Sequence, residues 1–215
     1  SFVAQSLDQI GFTYTGADAH ALSLSQDKRL VEVQLCAQGI PTPRWQVFTD
    51  ADPKGWDFFP AIVKPSFEHC SLGVTRDAVV QSPTELADRV RYVLDTFEQP
   101  ALIEEFIDGR EFHITLLGNG KLHMLPPAEM DFSAFDNLKD RLCTFESKFD
   151  PQSVSYNLIE LRLPAHLTHN EQRQIEETAL SAYRAIGCRD YARMDLRLRD
   201  GSSTCWMSIR MPTSV

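Results

Sequence analysis

The stretch from Tyr191 to Arg199 constrains the fold of this chain more than any other part of its sequence. Successive residues of a β-strand point to opposite faces, and here one face is apolar while the other is charged. An Asp-Gly pair at residues 200–201 then favours a tight turn. The pattern predicts an antiparallel hairpin with one face on a core and one carrying polar groups. The apolar face holds Ala192, Met194, Leu196 and Leu198; the charged face holds Arg193, Asp195, Arg197 and Arg199.

Three helices are predicted from their start and stop signals. Ser82, Pro83 and Glu85 open one helix with a capping box, and Thr168 with Glu171 open another that Gly187 ends. Residues 23–43 form a third, with Ser25 as its cap, an apolar stripe of Leu30 and Leu35, and Gly39 with Pro41 as its end.

The remaining elements are strands and one long loop. The β-prone runs are WQVF, AIVK (61–64), ALIEEF and FHITLLGNGKLHML, the last with a Gly-Asn-Gly turn. Residues 131–157 are polar and long enough to indicate a functional loop. The order of helices and strands indicates an α+β protein with two lobes.

Composition excludes several classes of function. A formal net charge of −9 argues against a nucleic-acid partner, because phosphate binding needs a basic surface. The five cysteines are scattered and odd in number, which favours a reducing compartment over a disulfide framework. They show no zinc-like spacing, and the six histidines form no metal-binding motif. No apolar run approaches the ~20 residues that cross a membrane. We therefore expect a cytoplasmic protein that acts on small molecules.

Four polar clusters could carry chemistry, and each has an ordinary alternative. The loop after Lys64 (VKPSFEHCSLGV) could fold over phosphates with Ser71, or be a surface turn. The stretch ALIEEFIDGREF could read an adenine edge, or be a solvated acidic turn. Asp195 among arginines could bind Mg²⁺, or belong to a cross-strand salt-bridge ladder. Lys148, in TFESKF, could close on a phosphate or be solvated.

Taken in order, these clusters resemble the D-alanine–D-alanine ligase branch of the ATP-grasp superfamily. YTGADAHALSLSQDK is similar to the family's segment before a phosphate-binding lysine, and VKPSFEHCSLGV to its K-P-x-x-E-G-S-S-x-G-V loop. LIEEFIDGREF resembles its adenine-binding hinge, and LPPAEM, FESKF and GCRDYARMDLRL follow in the family's order. The resemblance extends nearly to Gly201 and implies an ATP-grasp fold, with two α+β lobes clasping ATP.

The resemblance also implies domain limits and roles for individual residues. Residues 1–20 would be a remnant of an N-terminal domain whose lobe is otherwise absent, 21–105 the small lobe and 106–215 a truncated large lobe. Lys28 and Lys64 would hold phosphates beside the Glu68–Ser71 flap, Lys148 would close on the γ-phosphate, and Arg193 would stabilise the developing charge. The remaining expected ligand residues are Glu104, Glu105 and Ile107 for adenine, Glu111 for ribose and Asp195 for Mg²⁺ or Mn²⁺.

The implied reaction joins a carboxylate to an amine. ATP would phosphorylate the acid and an amine would attack the acyl phosphate, with D-alanine as both substrates, as in peptidoglycan precursor synthesis. A homodimer is expected by resemblance. A non-catalytic ATP-binding remnant and a ligase for another amino-acid pair stay open as alternatives.

Two departures from the family pattern bear on activity. The flap reads Glu68-His69-Cys70-Ser71, so a thiol replaces one hydroxyl. The family's metal-binding strand of the form D/E-x-N-x-N falls on Ser208 and Arg210, a poor set for cations.

A frameshift would explain the second departure. One nucleotide inserted after the Gly201 codon lets the tail read G-Q-F-Y-V-L-D-V-N-P-N, and its Asp codon is forced by the unique codons of Trp206 and Met207. We therefore expect the chain as written to be inactive or severely impaired, a divergent tail being the alternative.

Overall fold

The computed structural model describes residues 2–199 and the backbone of residues 205–208. The chain divides into two compact units. Unit 1 contains residues 1–42, 111–129 and 162–215, and unit 2 contains residues 43–110 and 130–161. The domain limits after residues 20 and 105 refer to lobes of the family and stay a prediction.

The order of elements agrees with the α+β expectation. The helices are α1 Phe2–Gln9, α2 Ala19–Gln26, α3 Lys28–Ala37, α4 Pro83–Phe97, α5 Glu146–Phe149, α6 Val154–Leu158 and α7 His169–Ile186. The strands are β1 Trp45–Phe48, β2 Ala61–Pro65, β3 Val79–Val80, β4 Ala101–Glu105, β5 Arg110–Leu117, β6 His123–Met124, β7 Ala128–Asp131, β8 Glu160–Arg162, β9 Tyr191–Leu198 and β10 Cys205–Ser208. No described helix is long and apolar enough to span a membrane.

Unit 2 is built on a four-stranded antiparallel sheet of order β1-β4-β2-β3. Every residue of β2 is buried, so the central strands are covered on both faces. One face packs against α4, and the other against the chain that follows residue 130. The first core is Phe48, Trp56, Ala61, Val63, Val80, Leu86, Val90, Val93, Ala101 and Ile103; the second is Ile62, Val74, Ala78, Val79, Phe106 and Leu142.

The long loop at residues 131–157 is ordered by ion pairs and short helices within unit 2. Arg76 Nε lies 2.5 Å from Asp140 Oδ1, Lys139 Nζ lies 2.9 Å from Glu85 Oε2, and Arg141 Nη1 lies 3.4 Å from Asp108 Oδ1. Exposed pairs of this kind contribute little individually. All three pairs involve residues 139–141, so together they connect that part of the loop to the rest of unit 2.

Unit 1 has its core between α3, α7 and the strands β5 and β9. The apolar face of β9 is buried as the alternation predicted, and Phe112, Ile114 and Leu116 of β5 join it. The second sheet has the order β10-β9-β5-β7-β8, with β6 on β5. Strand β10 pairs antiparallel with β9, as expected for the hairpin. Its Asp-Gly turn and Arg210 lie outside the described residues.

Two of the three predicted helix starts are confirmed. Helix α7 has the Thr168–Glu171 capping box and ends at Gly187, whose φ of 77° suits a residue without a side chain. In α4 the Ser82 hydroxyl accepts a hydrogen bond from Glu85 N, but the Glu85 carboxylate accepts from Gln81 N rather than from Ser82.

The helix predicted within residues 23–43 is different in the structure. It is two helices, and Asp27, not Ser25, caps the second by accepting a hydrogen bond from Arg29 N. Ser25 lies inside α2 and donates to Leu22 O. The predicted stripe was also wrong at Leu30, which is exposed, because Val31 and Leu35 face the core.

Candidate functional site

Unit 2 holds a buried ion pair at the centre of its sheet. Lys64 on β2 and Glu104 on β4 are 8% and 3% exposed, and Nζ lies 2.5 Å from Oε2. The register pairs Ile62 with Glu104 and Lys64 with Leu102, so the charged side chains are diagonal neighbours on one face. Buried charges are usually paired, because an unpaired one is costly. The structure therefore brings together two of the residues expected to bind the nucleotide.

Part of the backbone after Glu104 is hydrogen-bonded within unit 2. The amide of Glu105 donates to Arg44 O at 2.8 Å, and the amide of Phe106 donates to Pro60 O at 2.9 Å. Ile107 is buried. The expected adenine-reading stretch is therefore held in place from two sides.

The predicted flap is a polar loop, residues 68–73, which we call the phosphate loop. Glu68 accepts a hydrogen bond from Gln99 Nε2 at 2.5 Å, and the buried Ser71 hydroxyl donates to Cys143 O at 3.1 Å. Cys70 and Ser71 have φ values of 54° and 62°. Residues other than glycine rarely adopt this left-handed conformation, and it persists only when the surroundings hold it.

The segment that leads to Lys148 is hydrogen-bonded to this part of unit 2. Lys148 is on the one-turn helix α5, and the preceding Phe145 donates its amide to Val74 O at 3.2 Å. With the Ser71–Cys143 bond, this makes two links between residues 71–74 and the segment that precedes Lys148. Among the described residues, no carboxylate forms a salt bridge with Lys148.

Unit 1 holds a second polar cluster, on the sheet face opposite its core. Arg197 Nη2 lies 2.6 Å from Glu111 Oε2, and Arg193 Nε lies 3.0 Å from Asp195 Oδ1. Imidazole Nε2 of His113 lies 3.3 Å from Glu111 and 3.8 Å from Asp195. The salt-bridge ladder that the sequence left open is therefore present, and it includes three expected site residues.

Burial and neighbouring charges together shift the pKa values in this cluster. Burial raises the pKa of the Asp195 carboxyl above its ordinary value, although His113 and Arg193 both act to lower it. Burial also lowers the pKa of His113, but the hydrogen bond with Glu111 and the charge of Asp195 outweigh it, and the net pKa is raised. A buried carboxylate in this situation gains from a nearby positive charge.

Asp195 is the residue of this cluster that could hold Mg²⁺. Mg²⁺ is commonly held by one or two carboxylates together with substrate phosphates. Asp195 supplies a buried carboxylate, and its register partner in β10 is Ser208. A serine cannot bridge two ions as a carboxylate would.

Lys28 lies in unit 1 as the first residue of α3. Asp27 caps that helix and also accepts hydrogen bonds from the Arg29 guanidinium. The structure thus places Lys28 at a well-defined helix start.

Sequence reasoning missed the part played by His113 and Arg197. Alternation in β5 could have found the first, because Glu111 and His113 share a face while Phe112 and Ile114 face the core. The partner of Arg197 could not be foreseen, since it depends on which strand lies beside β9.

Comparisons with known proteins agree with this fold. The solved structure of the D-alanine–D-alanine ligase from Bacillus anthracis complexed with ATP superposes with a TM-score of 0.70 at 23% identity, over 95% of this chain and 60% of that one. The D-alanyl-alanine synthetase A of Vibrio cholerae gives a TM-score of 0.73 at 19% identity, over 95% of this chain and 60% of that one. The fold is therefore that of the ATP-grasp ligases.

The sequence comparisons define the family. The family model described as the D-ala D-ala ligase C-terminus matches residues 35–208, and the chain belongs to that family. An uncharacterized protein y4sG of Sinorhizobium fredii is 32% identical over 201 residues, which are 91% of this chain and 56% of that protein. A D-alanine–D-alanine ligase of a Marinomonas species is 31% identical over 205 residues. These are 94% of this chain and 59% of that protein, so the chain spans little more than half the length of either relative.

Proposed function

We propose that this chain binds ATP and Mg²⁺ as part of a ligase that joins a carboxylate to an amine through an acyl phosphate. The substrate class would be that of the D-alanine–D-alanine ligases. The observation that carries the proposal is membership of the family over residues 35–208, together with the buried Lys64–Glu104 pair at the expected nucleotide position.

The cluster in unit 2 would bind the base and the phosphates. Glu104 would accept a hydrogen bond from the adenine amino group, and the backbone of Glu105 and Ile107 would contact the ring edge. Lys64 would bind the α- and β-phosphates, the phosphate loop with Glu68 and Ser71 would cover the triphosphate, and Lys148 would approach the γ-phosphate. Positioning and charge neutralisation provide most of the catalysis in phosphoryl transfer.

The cluster in unit 1 would bind the ribose and the cations. Glu111 would accept hydrogen bonds from the ribose hydroxyls, and Lys28 would contact phosphate oxygens. Arg193 would stabilise negative charge on the transferred group, and Asp195 would hold Mg²⁺. The ion, when bound, would neutralise charge on the phosphate oxygens.

A specific observation favours a second candidate, a non-catalytic ATP-binding remnant. The register partner of Asp195 is Ser208, at the place where the family pattern expects an acidic residue. Arg210, where the pattern expects an asparagine, lies outside the described residues. Such a chain would bind the nucleotide without turning it over.

Three measurements test these candidates. Calorimetric titration with ATP and Mg²⁺ tests nucleotide binding, which both candidates require, and an absence of binding would overturn both. Release of ADP on addition of D-alanine then tests for the ligase, and a screen of other amino acids tests for another substrate pair. A cytoplasmic location and a homodimer stay predictions.

A further inference from the structure

Helix α4 carries an arginine on its buried face. Arg89 is 7% exposed and lies among the residues Leu86, Val90 and Val93 that α4 packs onto the sheet of unit 2. A charged side chain is rarely placed at such a position, because removing it from water is costly. Its location therefore indicates an interaction that a hydrophobic residue could not make.

The guanidinium reaches the end of the phosphate loop. Nη2 of Arg89 donates a hydrogen bond to Gly73 O at 2.5 Å, and its Cζ lies 4.4 Å from the centroid of the Tyr92 ring. Within the described part of the chain, no carboxylate forms a salt bridge with Arg89. Burial lowers the pKa of this guanidinium, but an arginine stays protonated in proteins.

Gly73 is tightly packed and has a left-handed backbone conformation. Its φ is 73°, and a side chain there would lie 2.8 Å from Phe97 Cζ and from Pro65 Cγ. The carbonyl that Arg89 binds therefore belongs to a tightly packed residue in a conformation that glycine adopts at least cost.

The other end of the phosphate loop is held as well. The amide of Phe67 donates to Gln99 Oε1 at 3.0 Å, and the Gln99 amide group donates to Glu68. The left-handed residues Cys70 and Ser71 lie between these two anchors. A strained turn keeps its shape only if both of its ends are fixed.

We propose that Arg89 is a positioning residue for nucleotide phosphates, because it fixes the phosphate loop through the carbonyl of Gly73. The inference rests on the proposed function, since it assumes that this loop covers the phosphates of ATP. It predicts that Arg89 affects affinity for ATP much more than affinity for AMP, which carries only the α-phosphate.

The test compares Arg89→Met with Arg91→Met in the 215-residue chain. Met has a similar length but cannot donate, and Arg91 lies on the same helix with its exposed side chain 3.2 Å from Asp88. The dissociation constants for ATP and AMP are measured by calorimetry with Mg²⁺. We expect R89M to weaken ATP binding about 10-fold, the effect of losing one charged hydrogen bond. AMP binding by R89M and both affinities of R91M should change less than about 2-fold, as expected when no such bond is lost.

The ratio of the two affinities distinguishes positioning from a general structural role. A purely structural Arg89 would lower the melting temperature of R89M and leave the ratio of ATP to AMP affinity as in the wild type, and that result would overturn the inference. If R89M does not fold, Arg89→Lys carries the test. Lysine keeps a donor and the positive charge but not the planar guanidinium, so the ratio of ATP affinity to AMP affinity should fall about 3-fold.

The outcomes for this inference and for the proposed function are separable. If the unmodified chain binds neither ATP nor AMP, the proposed function fails and this inference fails with it. If the unmodified chain binds ATP, and R89M or R89K keeps the wild-type ratio, the inference alone is wrong.

Discussion

Lys64 Nζ and Glu104 Oε2 lie 2.5 Å apart as diagonal neighbours on β2 and β4, and both side chains are almost fully buried. Each charge compensates the other for the solvation that it loses on burial. A site that binds a polyphosphate gains from this arrangement, because the lysine is held in position before the ligand arrives.

Removing one partner of this pair should destabilise the chain strongly. Lys64→Met leaves a buried carboxylate without its cation, and we expect a loss of about 3 kcal/mol in the free energy of unfolding. The double variant K64M/E104L should cost less than the sum of the single changes, because no isolated charge remains. Urea denaturation measures both, with Lys54→Met as the matched control.

Lys54 is a suitable control because its pair with Asp52 is exposed, with side-chain accessibilities of 85% and 63%. No measurable change is expected for it. Additive losses at Lys64 and Glu104 would show that the two charges are not coupled, contrary to their geometry.

Asp195 should govern the dependence of nucleotide binding on Mg²⁺. In Asp195→Asn the carboxylate is lost, and we expect the gain in ATP affinity on adding Mg²⁺ to fall about 10-fold or more. Stability should not fall with it, because burial raises the pKa of Asp195 and thus disfavours its charged form. Titrations of ATP with and without Mg²⁺ check the first point and thermal melting the second.

Asp88→Asn serves as the control for this change, because Asp88 is an exposed carboxylate paired with Arg91. It should bind ATP with the wild-type dependence on Mg²⁺. An Asp195→Asn variant that kept that dependence would remove Asp195 from the proposed metal site.

The start of α3 can be tested at the residue that caps it. Asp27→Ala should cost about 1 kcal/mol in the free energy of unfolding at pH 7, whereas Ser25→Ala should cost less because Ser25 does not cap this helix. Urea denaturation of both variants decides between the cap in the structure and the one predicted from sequence. Equal losses would contradict the structure.

The same cap gives a defined dependence on pH. The hydrogen bond with Arg29 lowers the pKa of Asp27 below its ordinary value, against the effect of burial. A carboxyl whose folded pKa is lowered stabilises above its unfolded pKa, and this contribution is lost as pH falls through the folded value. The difference between wild type and D27A should therefore shrink in acid, and a difference independent of pH would count against the pairing.

The cysteines should differ in reactivity according to their burial. Burial raises the pKa of Cys188 to about 12, so almost none of it is thiolate at pH 8. Cys36 and Cys70 are exposed, Cys143 is buried, and Cys188 is partly buried. Brief alkylation followed by peptide mass mapping should label Cys36 and Cys70 first, with Cys143 and Cys188 labelled only after unfolding. Labelling of Cys188 at the rate of Cys36 would contradict the raised pKa of Cys188.

The sequence predicted those parts of the fold that depend on local patterns. The alternation in β9, the capping box at Thr168 and the ends of the strands around Lys64 and Glu104 are all set within a few residues. The ATP-grasp fold needed the order of several motifs, each of them weak alone.

Other features depend on tertiary contacts that no local pattern records. Ser25 and Asp27 are both good caps, and only packing of Val31 and Leu35 against the core decides between them. Arg89 likewise resembles an ordinary helical arginine until the position of Gly73 O is known. The ion pairs Arg197–Glu111 and Lys64–Glu104 join different strands, so they follow from sheet order.

The last prediction concerns the tail, where Ser208 and Arg210 replace the expected metal ligands. A chain whose tail is restored by one nucleotide after the Gly201 codon, reading G-Q-F-Y-V-L-D-V-N-P-N, should release ADP with D-alanine in the presence of Mg²⁺. The chain as written should release little or none, because a serine and an arginine are poor ligands for the Mg²⁺ that would neutralise phosphate charge. A coupled assay for ADP measures both.

A control makes the comparison specific to the metal ligand. The restored chain with Asn in place of its restored Asp has the same length and the same strand, so it should lose most of the recovered activity if the carboxylate acts through Mg²⁺. Sequencing the gene beside those of close relatives tests the frameshift itself, which requires a single-base difference near the Gly201 codon. Substantial turnover by the unrestored chain would show that the assigned role of the tail is wrong, since catalysis would then proceed without the second set of metal ligands.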